Sequence, residues 1–280
     1  MERLVNRRLV TYLEQGNFLD LRQFAFRKGF GSGIHLGSFG EVVGQTLEEN
    51  KHADIAILDL AKAYNTVWRE GVLRQLHQWG IRGNMGRFVQ EFLRNRTFRV
   101  CIGGNKSDSF REANGVPQGS VLALFLVSIN TLFDALLKGV FIFLYADDII
   151  LVAIGKLQAA VNAVGRWAEA TGFNIAPEKW AIAHYCNSHH VAFDQPVKFA
   201  GATIPFRKEP QILGIKVDRR MTFTSHFQQI KKDYESRKRL VRTISSRHTK
   251  CNRETALNYT GGSRLHGGRN FTMLPPPSTL

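Results

Sequence analysis

Residues 141–152 read Phe-Ile-Phe-Leu-Tyr-Ala-Asp-Asp-Ile-Ile-Leu-Val, and this stretch decides the fold. Two apolar, β-prone segments flank the adjacent carboxylates of Asp147 and Asp148, which predicts a hairpin with both acids at its turn. The turn contains no Gly or Asn that would explain it as ordinary hairpin chemistry. Aspartate is costly near a core unless it is paired or bound to a metal. For this stretch alone, a metal-holding turn and a plain acidic turn both stay open.

A third aspartate strengthens the metal interpretation. Residues 53–60 read as a strand whose alternation places Ile55, Ile57 and Asp59 on one face. If this strand neighbours the hairpin, three carboxylates converge on one edge of a sheet. Such an edge can bridge two divalent cations about 4 Å apart for in-line phosphoryl transfer. Mg²⁺ suits the site because it prefers oxygen ligands and retains several waters.

Charge and cysteine content bound the partners and the compartment. The 280 residues carry a formal net charge of +15, which predicts a polyanionic partner; a generally basic protein is the alternative. Cys101, Cys186 and Cys251 lie far apart, which indicates a reducing compartment. The start of the chain does not resemble a signal peptide, and no apolar stretch approaches the ~20 residues of a membrane helix. We therefore predict an intracellular protein, nuclear or cytoplasmic, that is not secreted and has no membrane partner.

One cluster of potential metal ligands does not fit the acidic edge. His184, Cys186, His189 and His190 lie within seven consecutive residues. Because no second ligand pair accompanies them in the sequence, a solvated loop is favoured over a zinc site.

Periodicity and breakers predict the remaining elements. A glycine-rich loop is expected over residues 29–40, although it matches neither a P-loop nor a Rossmann turn. Short helices are predicted around 72–80 and 88–92, longer ones over 120–137, 157–172 and 223–244, and short strands over 98–103 and 211–217. This order favours an α+β sheet with helices on one face over a doubly wound parallel sheet. Residues 258–280, rich in Gly and Pro, are predicted to be disordered.

Five motifs occur in the order of the polymerase palm motifs. They are Leu-Asp-Leu-Ala-Lys-Ala-Tyr-Asn-Thr-Val (58–67), Gly-Val-Pro-Gln-Gly-Ser-Val-Leu (115–122), Tyr-Ala-Asp-Asp (145–148), Gly-Phe-Asn-Ile-Ala-Pro-Glu-Lys (172–179) and Ile-Leu-Gly-Ile (212–215). Together they resemble the reverse transcriptase of non-LTR (LINE-type) retrotransposons. Gln-Phe-Ala-Phe-Arg-Lys-Gly (23–29) is most similar to the jockey group, and the resemblance covers roughly residues 1–255.

The resemblance implies a right-hand polymerase. Fingers are expected over residues 1–50 and 67–117, a palm over 51–66 and 118–217, and a partial helical thumb over 218–257. The implied reaction is RNA-directed DNA synthesis with an RNA template, a DNA primer and dNTPs as partners. Two Mg²⁺ ions are the implied cofactors, with Mn²⁺ as a possible substitute.

The resemblance also implies roles for individual residues near the reaction centre. Asp59 and Asp147 would ligate both metals, and Asp148 would complete the acidic cluster. Tyr64 would stack under the incoming sugar and exclude a 2′-hydroxyl; a core aromatic is the alternative. Arg27 would grip the triphosphate, because a guanidinium fork suits phosphate oxygens, and the alternative is a solvated basic residue. Lys28 is a weaker candidate for the same task.

Further roles concern the template, the primer and the leaving group. Gln118 would contact the template or the nucleotide, with a plain turn as the alternative. Lys179 could protonate the departing pyrophosphate, with a surface lysine as the alternative. Leu213 and Gly214 would lie near the primer terminus. In the thumb helix the apolar seam would face inward, and four basic residues would face the duplex backbone: Lys231, Lys232, Arg237 and Arg239. The alternative is a charged helix that is merely solvated.

Three departures from the family pattern leave a second function open. Relative to the family, the chain is expected to open inside the fingers, without the strand region that usually precedes this segment and without an endonuclease domain. The segment after Ser120 is a residue or two shorter than usual, and the family wording stops near residue 257. A catalytically inactive, truncated remnant that at most binds nucleic acid is therefore the alternative. A generic basic RNA-binding module is a third interpretation, for which the sequence offers no RNP-type aromatic motif.

Overall fold

The computed structural model describes residues 1–120, 123–187 and 196–244. The helices in this part of the chain are α1 (Glu2–Gln15), α2 (Ser32–Glu48), α3 (Ala63–Thr66), α4 (Arg69–Gln78), α5 (Gly83–Leu93), α6 (Leu124–Ile129), α7 (Leu132–Ala135), α8 (Leu157–Thr171) and α9 (Thr224–Ile244), with a 3₁₀ turn at Pro177–Lys179. The strands are β1 (Ala53–Asp59), β2 (Thr97–Phe98), β3 (Cys101–Ile102), β4 (Asn105–Lys106), β5 (Phe110–Arg111), β6 (Val140–Tyr145), β7 (Asp148–Ala153), β8 (Ala181–Tyr185), β9 (Lys198–Phe199), β10 (Ala202–Thr203), β11 (Gln211–Ile212) and β12 (Ile215–Lys216). The predicted tail at 258–280 lies outside the described residues.

A four-stranded antiparallel sheet forms the centre of the fold, in the order β6–β7–β1–β8. Helices and this antiparallel sheet together confirm the α+β class. Strand β1 ends at Asp59, and the acidic hairpin is formed by β6 and β7, as the sequence predicted. The two central strands pair from Asp54 opposite Ala153 to Asp59 opposite Asp148, and most of their residues are buried. The edge that carries the aspartates is therefore fixed by the core itself.

The sheet is covered on both faces, so the prediction of helices on one face only was wrong. On one face, Ile55, Ile150 and Val152 pack in a cluster with Phe39 and Val43 of α2. On the other face, a larger cluster joins side chains of β1, β6 and β7 to α8 and to α4–α6. Strands buried on both sides need no alternation of polar residues, which explains the continuous apolar run over residues 149–153.

The glycine-rich segment is a helix rather than the predicted loop. Gly33, Gly37, Gly40 and Gly44 all lie inside α2. Glycine weakens a helix by about 1 kcal/mol per residue, but this propensity is overridden where a helix buries an apolar face. Phe39 and the other inward residues of α2 supply that burial against the sheet.

Three further elements are shorter than predicted. The strand expected over 98–103 is split into β2 and β3, which pair with β5 and β4 respectively. The helix expected up to residue 137 is divided into α6 and α7, with Asn130 and Thr131 between them. The strand expected over 211–217 is a hairpin, because Leu213 and Gly214 both have positive φ and reverse the chain between β11 and β12.

The thumb helix α9 does not bury its apolar seam against the described residues. Phe227, Ile230 and Tyr234 are 64%, 50% and 61% exposed, so the prediction that the seam faces inward was wrong for this part of the chain. The helix is anchored at its start instead, where Phe223 packs against the cluster on the α2 side of the sheet. The side chain of Val241, the fourth residue of the predicted seam, lies outside the described residues.

A buried histidine joins α2 to the acidic hairpin. The His35 ring lies edge-on to Phe24, Phe143 and Tyr145, with centroid distances of 5.2, 6.0 and 5.8 Å. Burial lowers the pKa of His35 from 6.5 to about 4. Its neutral ring therefore supports Tyr145, the last residue before the hairpin turn.

This burial predicts a pH-dependent loss of stability. Below pH 6.5 the unfolded chain protonates residue 35, whereas the folded chain does so only near pH 4, so the free energy of unfolding falls as the pH drops through this window. The slope from this group approaches about 1.4 kcal/mol per pH unit. Urea unfolding of wild type and His35→Leu between pH 7 and pH 4 measures it. The variant should lose less stability on acidification, and parallel curves for the two proteins would contradict the assignment.

Candidate functional site

The turn between β6 and β7 is a two-residue loop formed by Ala146 and Asp147. Tyr145 and Asp148 are its closing pair. Ala146 has φ of +59°, whereas Asp147 is not among the residues with positive φ, which is the φ pattern of a type II′ hairpin turn. A side chain at positive φ is strained, and alanine keeps the conflict small. The tight loop therefore holds Asp147 at the tip and Asp148 at the first strand position.

The pairing of β1 with β7 brings the third aspartate to the same place. Asp59 is directly opposite Asp148 in the antiparallel register. Residues opposite each other in such a pair point to the same face, with Cβ atoms about 4.5–5.5 Å apart. All three aspartates are half-buried at this edge. The register thus brings Asp59 beside Asp148 at the base of the hairpin turn, as the sequence predicted for neighbouring strands.

The segment after α8 closes over the end of β1. The Trp180 indole Nε1 donates a hydrogen bond to the Asp59 carbonyl oxygen at 3.0 Å, and the Ala61 amide donates to the Asn174 carbonyl oxygen at 2.8 Å. Trp180 is fully buried. These contacts fix the backbone on both sides of Asp59, and sequence reasoning missed Trp180. Its signal was an aromatic residue directly after the fourth palm-like motif.

The same segment carries Lys179 to the acidic edge. Its Nζ lies 3.0 Å from Asp59 Oδ2. The hydrogen bond with Asp59 raises the pKa of Lys179 above its usual value, and the charges of Asp59, Glu178 and Asp147 act in the same direction. Lys179 is 56% exposed, but its charge is directed at the aspartates. Lys179 is thus a surface lysine that pairs with the acidic edge, and its role as a proton donor stays a prediction.

The donor set fits a hard divalent cation. Asp59, Asp147 and Asp148 offer only carboxylate oxygens, which are the ligands that Mg²⁺ and Mn²⁺ prefer. The contact with Lys179 shows that Asp59 Oδ2 is open to a cation at ionic distance. Together with the common face set by the strand register, this makes the edge suitable for ions bridged between β1 and the hairpin.

Tyr64 lies just beyond the end of β1, in α3. Its ring stacks on Phe125 with a centroid distance of 4.2 Å and an angle of 17°. The Tyr64 carbonyl oxygen accepts a hydrogen bond from the Val116 amide at 2.8 Å. The residue is half-buried and packs against the larger core cluster, as the alternative of a core aromatic predicted, and its stacking under an incoming sugar stays a prediction.

Gly115 is required where the 115–120 segment meets α3. Its φ is +89°, and a Cβ built on it would lie 2.7 Å from Asn65 Cα, Asn65 O and Tyr64 O. These are backbone atoms that cannot turn away. Arg69 holds the same segment from its other side by donating to the Gly115 carbonyl oxygen at 2.6 Å and to the Glu112 carbonyl oxygen at 2.9 Å.

Gly115→Ala should destabilise the protein by about 2–4 kcal/mol, because backbone strain and overlap with α3 add together. Gly119→Ala is the matched control, since nothing lies within 4 Å of a Cβ at that position. Urea unfolding of the two variants and the wild type measures the difference. Similar losses in both variants would show that close approach at Gly115 is not what constrains the segment.

Gln118 and Lys28 are both exposed. Gln118 follows residues 115 and 116, whose backbone contacts α3. Its predicted contact with the template or nucleotide stays a prediction, as does the weaker role of Lys28.

For Arg27, the alternative to triphosphate binding was a solvated basic residue, and the structure contradicts this alternative. Its side chain is 3% exposed and forms an ion pair with Glu14, with Nη2–Oε2 at 2.6 Å. Its Nη1 also donates to the carbonyl oxygens of Asp20 and Gln23 at 2.6 and 3.2 Å. In this arrangement the guanidinium ties α1 to the 20–27 segment, and contact with a triphosphate would require these bonds to open.

The residues predicted to contact primer and duplex lie apart from the aspartates in sequence. Leu213 and Gly214 form the turn of the β11–β12 hairpin, and Leu213 packs on the cluster on the α2 side of the sheet. The predicted basic residues of α9 are all exposed: Lys231, Lys232, Arg237 and Arg239. Lys232 and Arg239 are seven residues apart and therefore share one stripe of the helix, away from the apolar seam.

Comparison with known proteins gives a consistent result. A family model described as "Reverse transcriptase (RNA-dependent DNA polymerase)" matches residues 1–217. The chain is 30% identical over 253 residues to the RNA-directed DNA polymerase from mobile element jockey of Drosophila melanogaster, a match that covers 85% of this chain and 27% of that relative. It is 26% identical over 242 residues to the probable RNA-directed DNA polymerase from transposon X-element of the same species, covering 82% and 26%. The chain thus spans about a quarter of the length of these relatives.

Solved structures with the same fold include two telomerases. Telomerase from Candida tropicalis, in complex with a TWJ fragment of telomeric RNA, superposes with a TM-score of 0.57 at 12% identity, covering 79% of this chain and 36% of that one. Telomerase from Candida albicans with the same kind of RNA fragment gives 0.54 at 12% identity, covering 78% and 37%. At these identities the likeness shows the fold alone, and it confirms the predicted α+β polymerase fold. Among the described residues, none of the helices combines the length and the apolarity needed to cross a bilayer.

Proposed function

We propose, from the premise that this chain belongs to the reverse transcriptase (RNA-dependent DNA polymerase) family, that it is the RNA-directed DNA polymerase core of a non-LTR retrotransposon. It would join dNTPs to the 3′-hydroxyl of a DNA primer on an RNA template. The proposed division has fingers at 1–50 and 67–117, a palm at 51–66 and 118–217, and a thumb that begins at 218.

One observation carries this proposal: the antiparallel register that sets Asp59 opposite Asp148 beside the tip residue Asp147. Two Mg²⁺ ions, or Mn²⁺ in their place, would be held by these carboxylates. Such ions favour the attacking alkoxide and neutralise charge on the leaving pyrophosphate. Strand β1 is paired with β7 up to Asp59 and with β8 up to Ile57, and this pairing would hold the acids in place for this task.

The chain's own residues would position the nucleotide around this edge. Tyr64, backed by Phe125, would lie under the incoming sugar and reject a 2′-hydroxyl by contact. Gln118 would contact the template or the nucleotide from the segment that Gly115 and Arg69 hold in place. Lys179 carries a proton next to Asp59 and could give it to the departing pyrophosphate.

The nucleic acid would be held by charge. The net charge of +15 and the exposed basic residues of α9 support binding of a phosphate backbone by counterion release. The free cysteines Cys101 and Cys186 are consistent with a reducing compartment, which supports a nuclear or cytoplasmic location.

Asp147→Asn should abolish primer extension on an RNA template. We expect a loss of at least about 100-fold, because even loss of a metal's second-shell partner costs 10–100-fold. Asp108→Asn is the matched control, since it makes the same chemical change at an exposed residue near β4 and β5. Equal incorporation by wild type and Asp147→Asn would overturn the proposal. Template binding without incorporation by the wild type would instead support the inactive remnant.

Lys179→Met should lower the Mg²⁺ concentration needed for half-maximal extension by about two- to five-fold, because the ammonium no longer competes for Asp59 Oδ2. If Lys179 also donates a proton, the maximal rate falls at the same time. Lys51→Met is the control: its side chain is also 56% exposed and pairs with Glu49, away from the aspartates. A metal titration of extension rates in which Lys179→Met matches wild type would remove both roles.

A further inference from the structure

A second group of potential metal ligands lies at the far end of β1. Asp54 of β1 is opposite His184 of β8 in the antiparallel register. His52 directly precedes β1, and Cys186 directly follows β8. Because side chains alternate along a strand, these residues belong to the opposite face of the sheet from Asp59. His52 and Asp59 are seven residue steps apart along the strand, which separates the two sites by roughly 20 Å.

The ligand atoms of this group are close together. One ring nitrogen of each histidine, His52 and His184, and the Cys186 sulfur all lie within 4.8 Å of one another. The two imidazole rings stack with centroids 5.2 Å apart and an angle of 23°. Cys186 is buried, the His184 side chain is 9% exposed, and His52 is exposed. The group is therefore built on the sheet and open to solvent on one side.

Neighbouring residues orient the ligands. The Asp54 carboxylate oxygen Oδ1 lies 2.7 Å from His184 Nδ1. A carboxylate on one imidazole nitrogen, with the other nitrogen left to a metal, is the usual arrangement around ligating histidines. Arg219 Nε and Nη2 donate to the Cys186 sulfur at 2.9 and 2.5 Å. A guanidinium has donors only, so it pairs well with the thiolate that metal binding requires.

We propose that His52, His184 and Cys186 form a binding site for a divalent transition metal of the zinc class, separate from the acidic edge. Two imidazole nitrogens and a thiolate are ligands of zinc-type ions, whereas the carboxylate edge suits Mg²⁺. Ligands around tetrahedral zinc lie ~3.3–3.8 Å apart, given bond lengths of about 2.0–2.3 Å. Because the ligand atoms lie within 4.8 Å of one another, a contraction of at most about 1.5 Å brings them to this spacing, and the exposed position of His52 leaves room for it.

This site corrects the interpretation made from the sequence. His184 lies on β8 and Cys186 is buried, so neither belongs to a solvated loop. The missing ligand, His52, is 132 positions away from His184 and becomes a neighbour only through strand pairing. His189 and His190 lie outside the described residues and are not part of the proposed site.

A bound ion would join β1 to β8 directly, and the hydrogen bonds of Arg219 to the Cys186 sulfur would tie a third segment to the site. His52 lies at the start of the central strand, Cys186 at the end of the edge strand, and Arg219 in the connection that leads from β12 to α9. The ion would therefore hold the edge strand and the approach to the thumb helix against the centre of the sheet. The expected effect is structural, with no step in nucleotide transfer.

Co²⁺ titration of the full chain tests the site, because a thiolate bound to Co²⁺ gives a charge-transfer band that carboxylate sites cannot produce. The experiment uses the Cys101→Ser/Cys251→Ser double variant, in which Cys186 is the one remaining cysteine, and excess Mg²⁺ to occupy the acidic edge. We expect saturation at one equivalent, displacement by Zn²⁺, and tetrahedral d–d bands. In the same background, Asp54→Ala should weaken Co²⁺ binding by about 10–100-fold. His52→Ala should weaken it by at least as much, and Cys186→Ala should lose the charge-transfer band.

The His52→Ala variant tests the site even if Cys186→Ala fails to fold, because residue 52 is exposed and its replacement should leave the fold intact. Absence of the band in the background protein would overturn the proposal. So would a band of unchanged affinity in His52→Ala. A band that survives His52→Ala but disappears in His189→Ala/His190→Ala would place the metal elsewhere and would equally contradict the site.

Discussion

The pairing of β1 with β7 is the interaction on which the rest of the structure depends. Its register sets Asp59 opposite Asp148, and the same ladder carries Ile55, Ile57 and their partners into the core. A shift of one residue would turn Asp59 to the face opposite Asp148 and move the apolar side chains that now pack beneath α2 into the differently shaped packing of the other face. The burial of the strands thus also fixes the position of the acids. A change that destabilises the core would therefore also disturb the geometry of the acidic edge.

Several contacts act on this edge without belonging to it. His35 supports the hairpin from α2, Trp180 holds the Asp59 carbonyl oxygen, and Gly115 lets the 115–120 segment approach Tyr64. Each comes from a different part of the chain. The acidic edge is therefore surrounded by buried, well-packed groups, which is what preorganised electrostatic catalysis requires. Lys179 is the exception, because its exposed ammonium can leave Asp59 when another cation arrives.

The features that the sequence predicted correctly are those with a local signal. The hairpin, strand β1 and helices α4, α5 and α8 follow from periodicity and from breakers such as Gly172, which caps α8 with positive φ. Where tertiary contacts determine the local structure, the predictions from the sequence were wrong. The glycines of α2 suggested a loop because propensity ignores the burial of Phe39, and His52 was overlooked because only strand pairing brings it to His184. Arg27 was expected to grip a triphosphate, with a solvated residue as the alternative, yet Glu14 and two carbonyl groups bind its guanidinium.

Disulfide trapping of the β1–β7 register tests the central claim most directly. In the Cys101→Ser/Cys251→Ser background, Asp59→Cys/Asp148→Cys should form an intramolecular disulfide on mild oxidation, because opposite residues bring their Cβ atoms to bonding range. Asp59→Cys/Ile149→Cys should not, since Ile149 pairs with Leu58 and points to the other face. Mass spectrometry of the unreduced peptides distinguishes the two. Trapping of the second pair in preference to the first would show a slipped register, and the acids could not then share one edge.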